Sequence, residues 1–177
     1  MAYLNGKSFN LFADLRINDK QKQIAERTIE VLTAEDLEGV TAIGAYAFRQ
    51  CANLYKVTLP NTVTLIDWYA FSNCESLYDI TIPNSVTMIS GNAFAWCYEL
   101  AGIELPDSIT SIGDEAFYGC EMLYRVTCRA TTPPTLGTDV FSGVSDEFTI
   151  YVPAESVEAY KTATNWSDYA DRIQPIQ

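Results

Sequence analysis

An internal repeat of 23 residues constrains this chain more than any other feature of its sequence. The pattern A-F-x-x-C occurs four times at that spacing, ending at Cys51, Cys74, Cys97 and Cys120. A degenerate copy follows at Val140-Phe141, one residue late. A unit this short cannot bury its apolar residues alone, and it does so only by stacking on similar neighbours. The repeat therefore predicts a solenoid.

The residues inside each repeat predict its local structure. Val57 and Leu59 alternate with Lys56 and Thr58, and this period of two is typical of a β-strand. Pro60 ends the strand, because proline has no N–H for the ladder. We expect the A-F-x-x-C segment to form one helical turn that brings the chain back. The predicted fold is of the α/β class, a right-handed β-α superhelix of about five repeats over residues 37–152.

The repeat columns resemble a known family. The stretch from Leu77 to Ile89 reads L-Y-D-I-T-I-P-N-S-V-T-M-I. It is similar to the BspA-like bacterial leucine-rich repeats, whose unit is L-x-x-V-T-I-P-x-S-V-T-x-I-G-x-x-A-F-x-x-C. The resemblance implies a leucine-rich repeat solenoid and a surface-exposed binding protein, adhesins among them, that contacts host proteins or other cells. It implies no catalytic residues.

The two ends of the chain depart from the repeat. Within residues 1–36, Asn5-Gly6 predicts a hairpin. Asn18 is expected to open a short helix whose apolar stripe runs through Leu32. This segment is either an N-terminal cap or an attachment element. Residues 153–177 are expected to form a C-terminal helical cap, with Trp166 packed inside it.

Composition excludes several classes of function. Lys plus Arg total 11 and Asp plus Glu total 23, which gives a net charge of -12. Such a chain repels nucleic acid and anionic membranes. It contains no histidine, which excludes Ser-His and Cys-His catalysis and every histidine-containing metal site. With no nucleotide-binding or hydrolase motif present, we expect no enzymatic activity, no cofactor and no metal. No apolar run approaches the roughly 20 residues that a membrane helix needs, so we expect no membrane insertion.

The cysteines at one repeat phase invite a disulfide or metal interpretation. Neighbouring copies would lie about 5 Å apart with side chains pointing the same way, which suits neither a disulfide nor a tetrahedral zinc site. A free cysteine behaves as a small buried hydrophobe. We therefore predict five reduced thiols in the core.

Some large aromatic residues occupy positions where neighbouring repeats have small or polar residues. They are Tyr46, Trp68, Tyr69, Trp96, Tyr98 and Tyr118. Aromatic residues that the fold does not require are candidate interface anchors. The alternative is that they shield the turns from water. Tyr55, Tyr78 and Tyr124 recur at one phase, and we interpret them as structural.

The sequence predicts a non-enzymatic binding protein that recognises a protein or glycan partner, as in adhesion. The alternative is a structural or assembly protein attached through its N-terminal segment. The opening of the chain is similar to short repeat proteins encoded in bacterial prophages, and this similarity implies association with a virion. Residues 1–20 lack the basic start and apolar segment of a signal peptide. Cell-surface, cytoplasmic and virion-associated locations therefore all stay open, as does the oligomeric state.

Overall fold

The computed structural model of the chain describes residues 3–4, 7–8, 23–24 and 26–177. Within these residues the backbone forms short strands of two to four residues. In chain order they are Tyr3–Leu4 (β1), Lys7–Ser8 (β2), Val31–Leu32 (β3), Ala42–Ile43 (β4), Lys56–Thr58 (β5), Leu65–Ile66 (β6), Asp79–Thr81 (β7), Met88–Ile89 (β8), Gly102–Leu105 (β9), Ser111–Ile112 (β10), Arg125–Cys128 (β11), Thr135–Leu136 (β12), Thr149–Val152 (β13) and Ile173–Pro175 (β14).

Successive repeats stack in register, and we call each repeat-length turn of the chain a rung. One face is a seven-stranded sheet in the order β12-β10-β8-β6-β4-β1-β2, in which the repeat strands are parallel. Ile43 pairs with Ile66 and Ile66 with Ile89, so the register advances by one repeat from rung to rung. The predicted solenoid is confirmed.

A second face carries the other strand of each rung. It consists of a three-stranded sheet, β3-β5-β7, and a four-stranded sheet, β9-β11-β13-β14. All pairings within these two sheets are parallel. In the described part of the chain, no strand pairing joins β7 to β9, so this face is divided in two.

The core lies between the two faces and consists of stacked columns of identical residues. Phe48, Phe71, Phe94 and Phe117 stack with ring centroids 5.2 to 5.4 Å apart. All five cysteines are buried and unpaired, as predicted. Three of the thiols also donate a hydrogen bond to the phenylalanine carbonyl of the preceding rung, at 3.1 to 3.3 Å; they belong to Cys74, Cys97 and Cys120. These bonds tie each rung to the one before it.

The A-F-x-x-C segment differs from the predicted helical turn. It is a run of overlapping tight turns, in which Ala47 N–H donates to Gly44 and Cys51 N–H donates to Phe48, three residues back in each case. Tyr46 and Gln50 have φ angles of 61° and 62°. A right-handed helix requires negative φ throughout, so two left-handed residues in each copy prevent a helix from forming.

The one-residue delay in the fifth copy is absorbed between β11 and β12. Arg125 pairs with Gly102, 23 residues earlier, whereas Thr135 pairs with Ser111, 24 residues earlier. The phenylalanine column nevertheless continues, because the Phe141 ring stacks on the preceding phenylalanine at 5.7 Å. The turn that follows β11 therefore accommodates the extra residue without breaking the core.

At the N-terminal end, β1 and β2 form the antiparallel hairpin predicted by Asn5-Gly6, and β1 also pairs with β4. The helix start predicted at Asn18 lies outside the described residues. The helix does not extend through Leu32, as the apolar stripe suggested. Leu32 lies in β3, which pairs in parallel with β5, so the ladder begins there rather than near residue 37. The apolar stripe led to the wrong prediction because Leu32 is buried in a strand, and a buried strand residue is apolar just as a buried helix residue is.

The C-terminal end combines helical turns with a final strand. A 3-10 helix at Ala154–Ser156 leads into an α-helix at Val157–Thr162 (α1), and a second 3-10 helix spans Trp166–Arg172. Trp166 is fully buried and its Nε1 donates to Pro134 at 2.8 Å, which confirms its packing role. Ile173, expected within the helical cap, instead begins β14. The handedness of the superhelix and the cap roles of both ends stay predictions.

Candidate binding surface

Two of the six candidate aromatics form a stacked pair at the N-terminal end of the array. The rings of Tyr46 and Tyr69 are 5.1 Å apart and nearly parallel. The Arg49 guanidinium carbon lies 5.7 Å from the first ring centroid and 5.8 Å from the second. Among the described residues, the buried Nε of Arg49 has no hydrogen-bond acceptor. The two tyrosine rings therefore stabilise the Arg49 guanidinium by cation–π attraction.

Three further candidates form a second group, which we call the Trp96 cluster: Trp96, Tyr98 and Tyr118. The Trp96 ring meets Tyr118 edge-on at 4.9 Å and Tyr98 at 6.1 Å. Trp96 is exposed, and the two tyrosines are partly exposed. In the described part of the chain, no ring contact joins the Trp96 cluster to the Tyr46–Tyr69 pair. Five of the six sequence candidates thus belong to two local groups, and Trp68 belongs to neither.

Both exposed tryptophans lie over a glycine of the next rung. A Cβ atom built on Gly91 would be 2.5 Å from the Trp68 ring, and one built on Gly119 would be 2.4 Å from the Trp96 ring. Gly91 follows Trp68 by one repeat, and Gly119 follows Trp96 in the same way. Trp68, exposed to 49%, makes no ring contact with the other five candidates in the described region. Each indole therefore packs against backbone on one side and faces solvent on the other.

The backbone at three of the candidates is left-handed. Tyr46, Tyr69 and Trp96 have φ angles of 61°, 56° and 64°. The residue equivalent to Trp96 is Asn73 one rung before and Gly119 one rung after, and both types adopt this conformation readily. A bulky side chain there costs of order 1–3 kcal/mol, and such strain clusters at functional sites. The left-handed backbone is shared by this position in every copy, so what sets Trp96 apart is its large, exposed side chain.

A second row of exposed aromatics comprises the three tyrosines interpreted as structural. Tyr55, Tyr78 and Tyr124 are 39%, 54% and 54% exposed. The rings of Tyr55 and Tyr78 stack at 6.1 Å. These residues immediately precede the outward first residue of a strand, and at this corner the side chain leaves the core. Their structural role stays a prediction.

A cleft of about 390 Å³ lies above β7, β9 and β11, on the divided face. Gly102 leaves space there, and the charged residues Asp79, Glu104 and Arg125 line it. Asp79 is paired with Lys56 at 2.7 Å and Glu104 with Arg129 at 2.9 Å. The charges around this cleft are therefore largely satisfied within the chain.

Catalytic and metal-binding features are not prominent in the described residues. No group of three or more Cys, Asp or Glu side chains in that part of the chain could hold a metal ion. The strongly shifted thiols are those of the core, where burial raises the pKa of Cys51 to about 11 and of Cys120 to about 12. Such thiols stay protonated and are poor nucleophiles at neutral pH. No described helix has the length and apolar character needed to span a membrane.

Comparison with known proteins decides the family. Residues 32–164 match the BspA type leucine-rich repeat region, in six copies. The chain belongs to this family. Among curated proteins, no sequence matches it. BspA-type repeats are a non-catalytic scaffold in general, and no enzymatic domain is indicated by the family or by the solved structures it resembles.

Solved bacterial structures share this repeat fold. A leucine-rich repeat protein of T. pallidum is 28% identical, with a TM-score of 0.63, and the match covers 73% of this chain and 60% of that one. A leucine-rich cell surface protein of Faecalibacterium prausnitzii is 30% identical, with a TM-score of 0.61, covering 79% and 34%. The pneumococcal vaccine antigen PcpA is 20% identical, with a TM-score of 0.59, covering 83% and 40%, and shows the fold alone. The BspA-type chain thus spans less than two thirds of the length of these proteins.

Proposed function

We propose that this protein is a non-enzymatic binding protein that recognises a protein or glycan partner through its exposed aromatic residues. The observation that carries the proposal is Trp96, a large exposed side chain on a left-handed backbone at a position where the next rung has glycine. The turn holds this position left-handed in every copy, so a tryptophan there costs stability that glycine or asparagine would not. Exposed tryptophan and tyrosine are also the residue types that most often anchor interfaces.

The solved relatives support a surface role. The structure that is 30% identical is a leucine-rich cell surface protein. We extend this to an adhesion-like function for the present chain. The alternative, an assembly protein attached through residues 1–36, is less well supported, because β1 of the N-terminal hairpin pairs with β4 of the array. A hairpin that pairs with the array is better suited to covering its edge than to binding another protein.

The substitutions for the test are residues that neighbouring repeats already have at the same positions. In the double variant Trp68→Gly/Trp96→Gly, each tryptophan is replaced by the residue that the next rung holds at the same position. Full-length chain and variant are immobilised and screened with a phage-displayed random peptide library and a glycan array. We expect the wild-type chain to select ligands whose signal falls at least about tenfold on the variant, since buried aromatic anchors contribute about 2 kcal/mol or more.

The matched control is Tyr124→Ala, which removes an equally exposed aromatic from outside the six candidates. It should keep the selected ligands. Equal signals on the wild type and the double variant would contradict the proposal. A collapse of the thermal transition in the double variant would do so as well, because it would show that the tryptophans are needed for folding rather than for binding.

A further inference from the structure

We propose that the Trp96 cluster binds arginine or lysine side chains of a basic polypeptide partner, with the carboxylates of Glu75 and Glu121 pairing with the cation. This inference rests on the proposed function and names the partner's chemistry. Three observations carry it. Acid and aromatic residues alternate along one column, no cation of the described residues lies over the Trp96 cluster, and at two other places a guanidinium stacks on tyrosine rings of this chain.

Glu75, Tyr98 and Glu121 occupy the same position in three successive rungs. The rungs are bonded at this column, because Glu99 N–H donates to Glu75 and Met122 N–H donates to Tyr98, both at 3.2 Å. Adjacent rungs are about 4.8 Å apart, so Glu75 and Glu121 lie one rung before and one rung after Tyr98 on the same column. A cation placed on this ring would therefore have an acid on either side.

The two carboxylates are available for a partner. Glu75 and Glu121 are exposed, as is the neighbouring Glu99. The ion pairs found in the described part of the chain, Lys56–Asp79 and Arg129–Glu104, involve none of these three acids. Their negative charge is therefore not neutralised within that part of the protein.

The chain shows elsewhere that its aromatic surfaces accept guanidinium groups. Arg49 lies over Tyr46 and Tyr69, and Arg125 lies 4.6 Å above the Tyr151 ring. Three repeats after Arg49, the equivalent residue is Tyr118 of the Trp96 cluster. The Trp96 cluster thus has a tyrosine where the Tyr46–Tyr69 pair has Arg49. A cation from a partner can therefore supply the cation–π contact that Arg49 makes within the chain.

The overall charge favours the same partner. A net charge of -12 attracts a basic polypeptide at long range and repels a second copy of this chain. A neutral glycan would stack on the rings but would gain nothing from the flanking charges. Arginine fits better than lysine, because its planar guanidinium both stacks on an aromatic face and pairs with a carboxylate.

The experiment is a titration of the full-length chain with the octapeptides (Gly-Arg)4, (Gly-Lys)4 and (Gly-Glu)4, followed by calorimetry at physiological salt. The informative variant is Tyr98→Glu, which installs the residue found in the rungs on either side. It adds negative charge and removes the ring. We expect (Gly-Arg)4 to bind best, (Gly-Glu)4 not to bind, and Tyr98→Glu to weaken (Gly-Arg)4 about tenfold.

A second comparison separates local from general electrostatics. Glu75→Gln/Glu121→Gln and the control Glu155→Gln/Glu158→Gln change the net charge equally, but the control acids lie in the C-terminal helical segment. We expect the first pair to weaken (Gly-Arg)4 about tenfold and the control less than twofold. Equal weakening by both pairs, or tighter binding by Tyr98→Glu, would overturn the inference in favour of non-specific attraction.

The two proposals can fail separately. If the arrays select ligands that depend on Trp96 but carry no arginine or lysine, and (Gly-Arg)4 does not depend on Tyr98, the binding function stands and the basic partner is wrong. If no array ligand depends on Trp68 or Trp96, the proposed function fails, whatever the octapeptides do.

Discussion

Gly119 is required for two separate reasons, and Gly143, its equivalent in the next rung, for only one. Both have left-handed backbones, with φ angles of 69° and 74°. A Cβ on Gly119 would also lie 2.4 Å from the Trp96 ring, whereas a Cβ on Gly143 would have its nearest contact at 3.4 Å, with the Gly119 backbone. Comparing the same substitution at the two glycines therefore separates the cost of backbone strain from the cost of displacing the Trp96 indole.

We predict that Gly143→Ala lowers the free energy of unfolding by about 1–2 kcal/mol, the cost of a left-handed residue with a side chain. Gly119→Ala should lower it by about 2–5 kcal/mol, because overpacking against Trp96 adds about 1–3 kcal/mol. Urea denaturation of the two variants measures the difference. Equal losses would mean that the Trp96 ring moves aside freely.

Among exposed residues, the sequence singled out those that depart from their repeat. That comparison found Trp68 and Trp96, and both are exposed in the structure. It could not find their glycine partners, because the contact joins residues in different rungs and depends on the left-handed turn. It did not show that Tyr78 and its equivalents are exposed, because a regular column can face either the core or the solvent.

At the scale of one structural element, the cysteine column makes stability depend on pH. Burial raises the pKa of Cys51 to about 11 and of Cys120 to about 12, above the ordinary value of 9.0. Between about pH 9 and 11 the unfolded chain has lost these thiol protons while the folded chain keeps them. The unfolded state then binds fewer protons, so the free energy of unfolding falls as pH rises.

We predict that the slope is about 1.4 kcal/mol per pH unit for each such thiol, and that Cys120→Ala reduces the total slope by that amount. Urea denaturation between pH 9.5 and 10.5 measures it. Cys120→Ser is the matched control: its hydroxyl can still donate to the Phe94 carbonyl, which the thiol reaches at 3.2 Å, but it does not titrate in this range. A serine variant with the wild-type slope would show that the thiol is not the source.

At the scale of the whole molecule, the array begins with β3. Ile29 and Leu32 are fully buried, and β3 pairs with β5. We predict that a chain beginning at Leu37 is less stable than one beginning at Thr28 by about 3–6 kcal/mol, since burying each of these side chains contributes about 1.5–3 kcal/mol. Equal unfolding free energies in urea would instead place the start of the array near residue 37.

The sequence predicted the solenoid architecture correctly, but it gave the wrong local structure for the A-F-x-x-C turn and for Ile173. The solenoid follows from the fixed repeat, because stacking is the way for so short a unit to bury its apolar columns. The helical turn in A-F-x-x-C was wrong, since composition does not reveal that Tyr46 and Gln50 have positive φ. Ile173 was placed in a helix for a similar reason: apolar residues near a chain end suit either a helical cap or one more strand, and only the pairing with β13 distinguishes them.

The uniform stacking of the rungs has a consequence for how such proteins change over generations. A recombination event that duplicates or deletes one repeat in the gene would leave the phenylalanine stack and the thiol-to-carbonyl bonds continuous, because each rung bonds to its neighbours in the same way. A change of another length would have to be absorbed in a turn, as the one extra residue after β11 is. Lineages can therefore vary the distance between the Tyr46–Tyr69 pair and the Trp96 cluster in whole-rung steps.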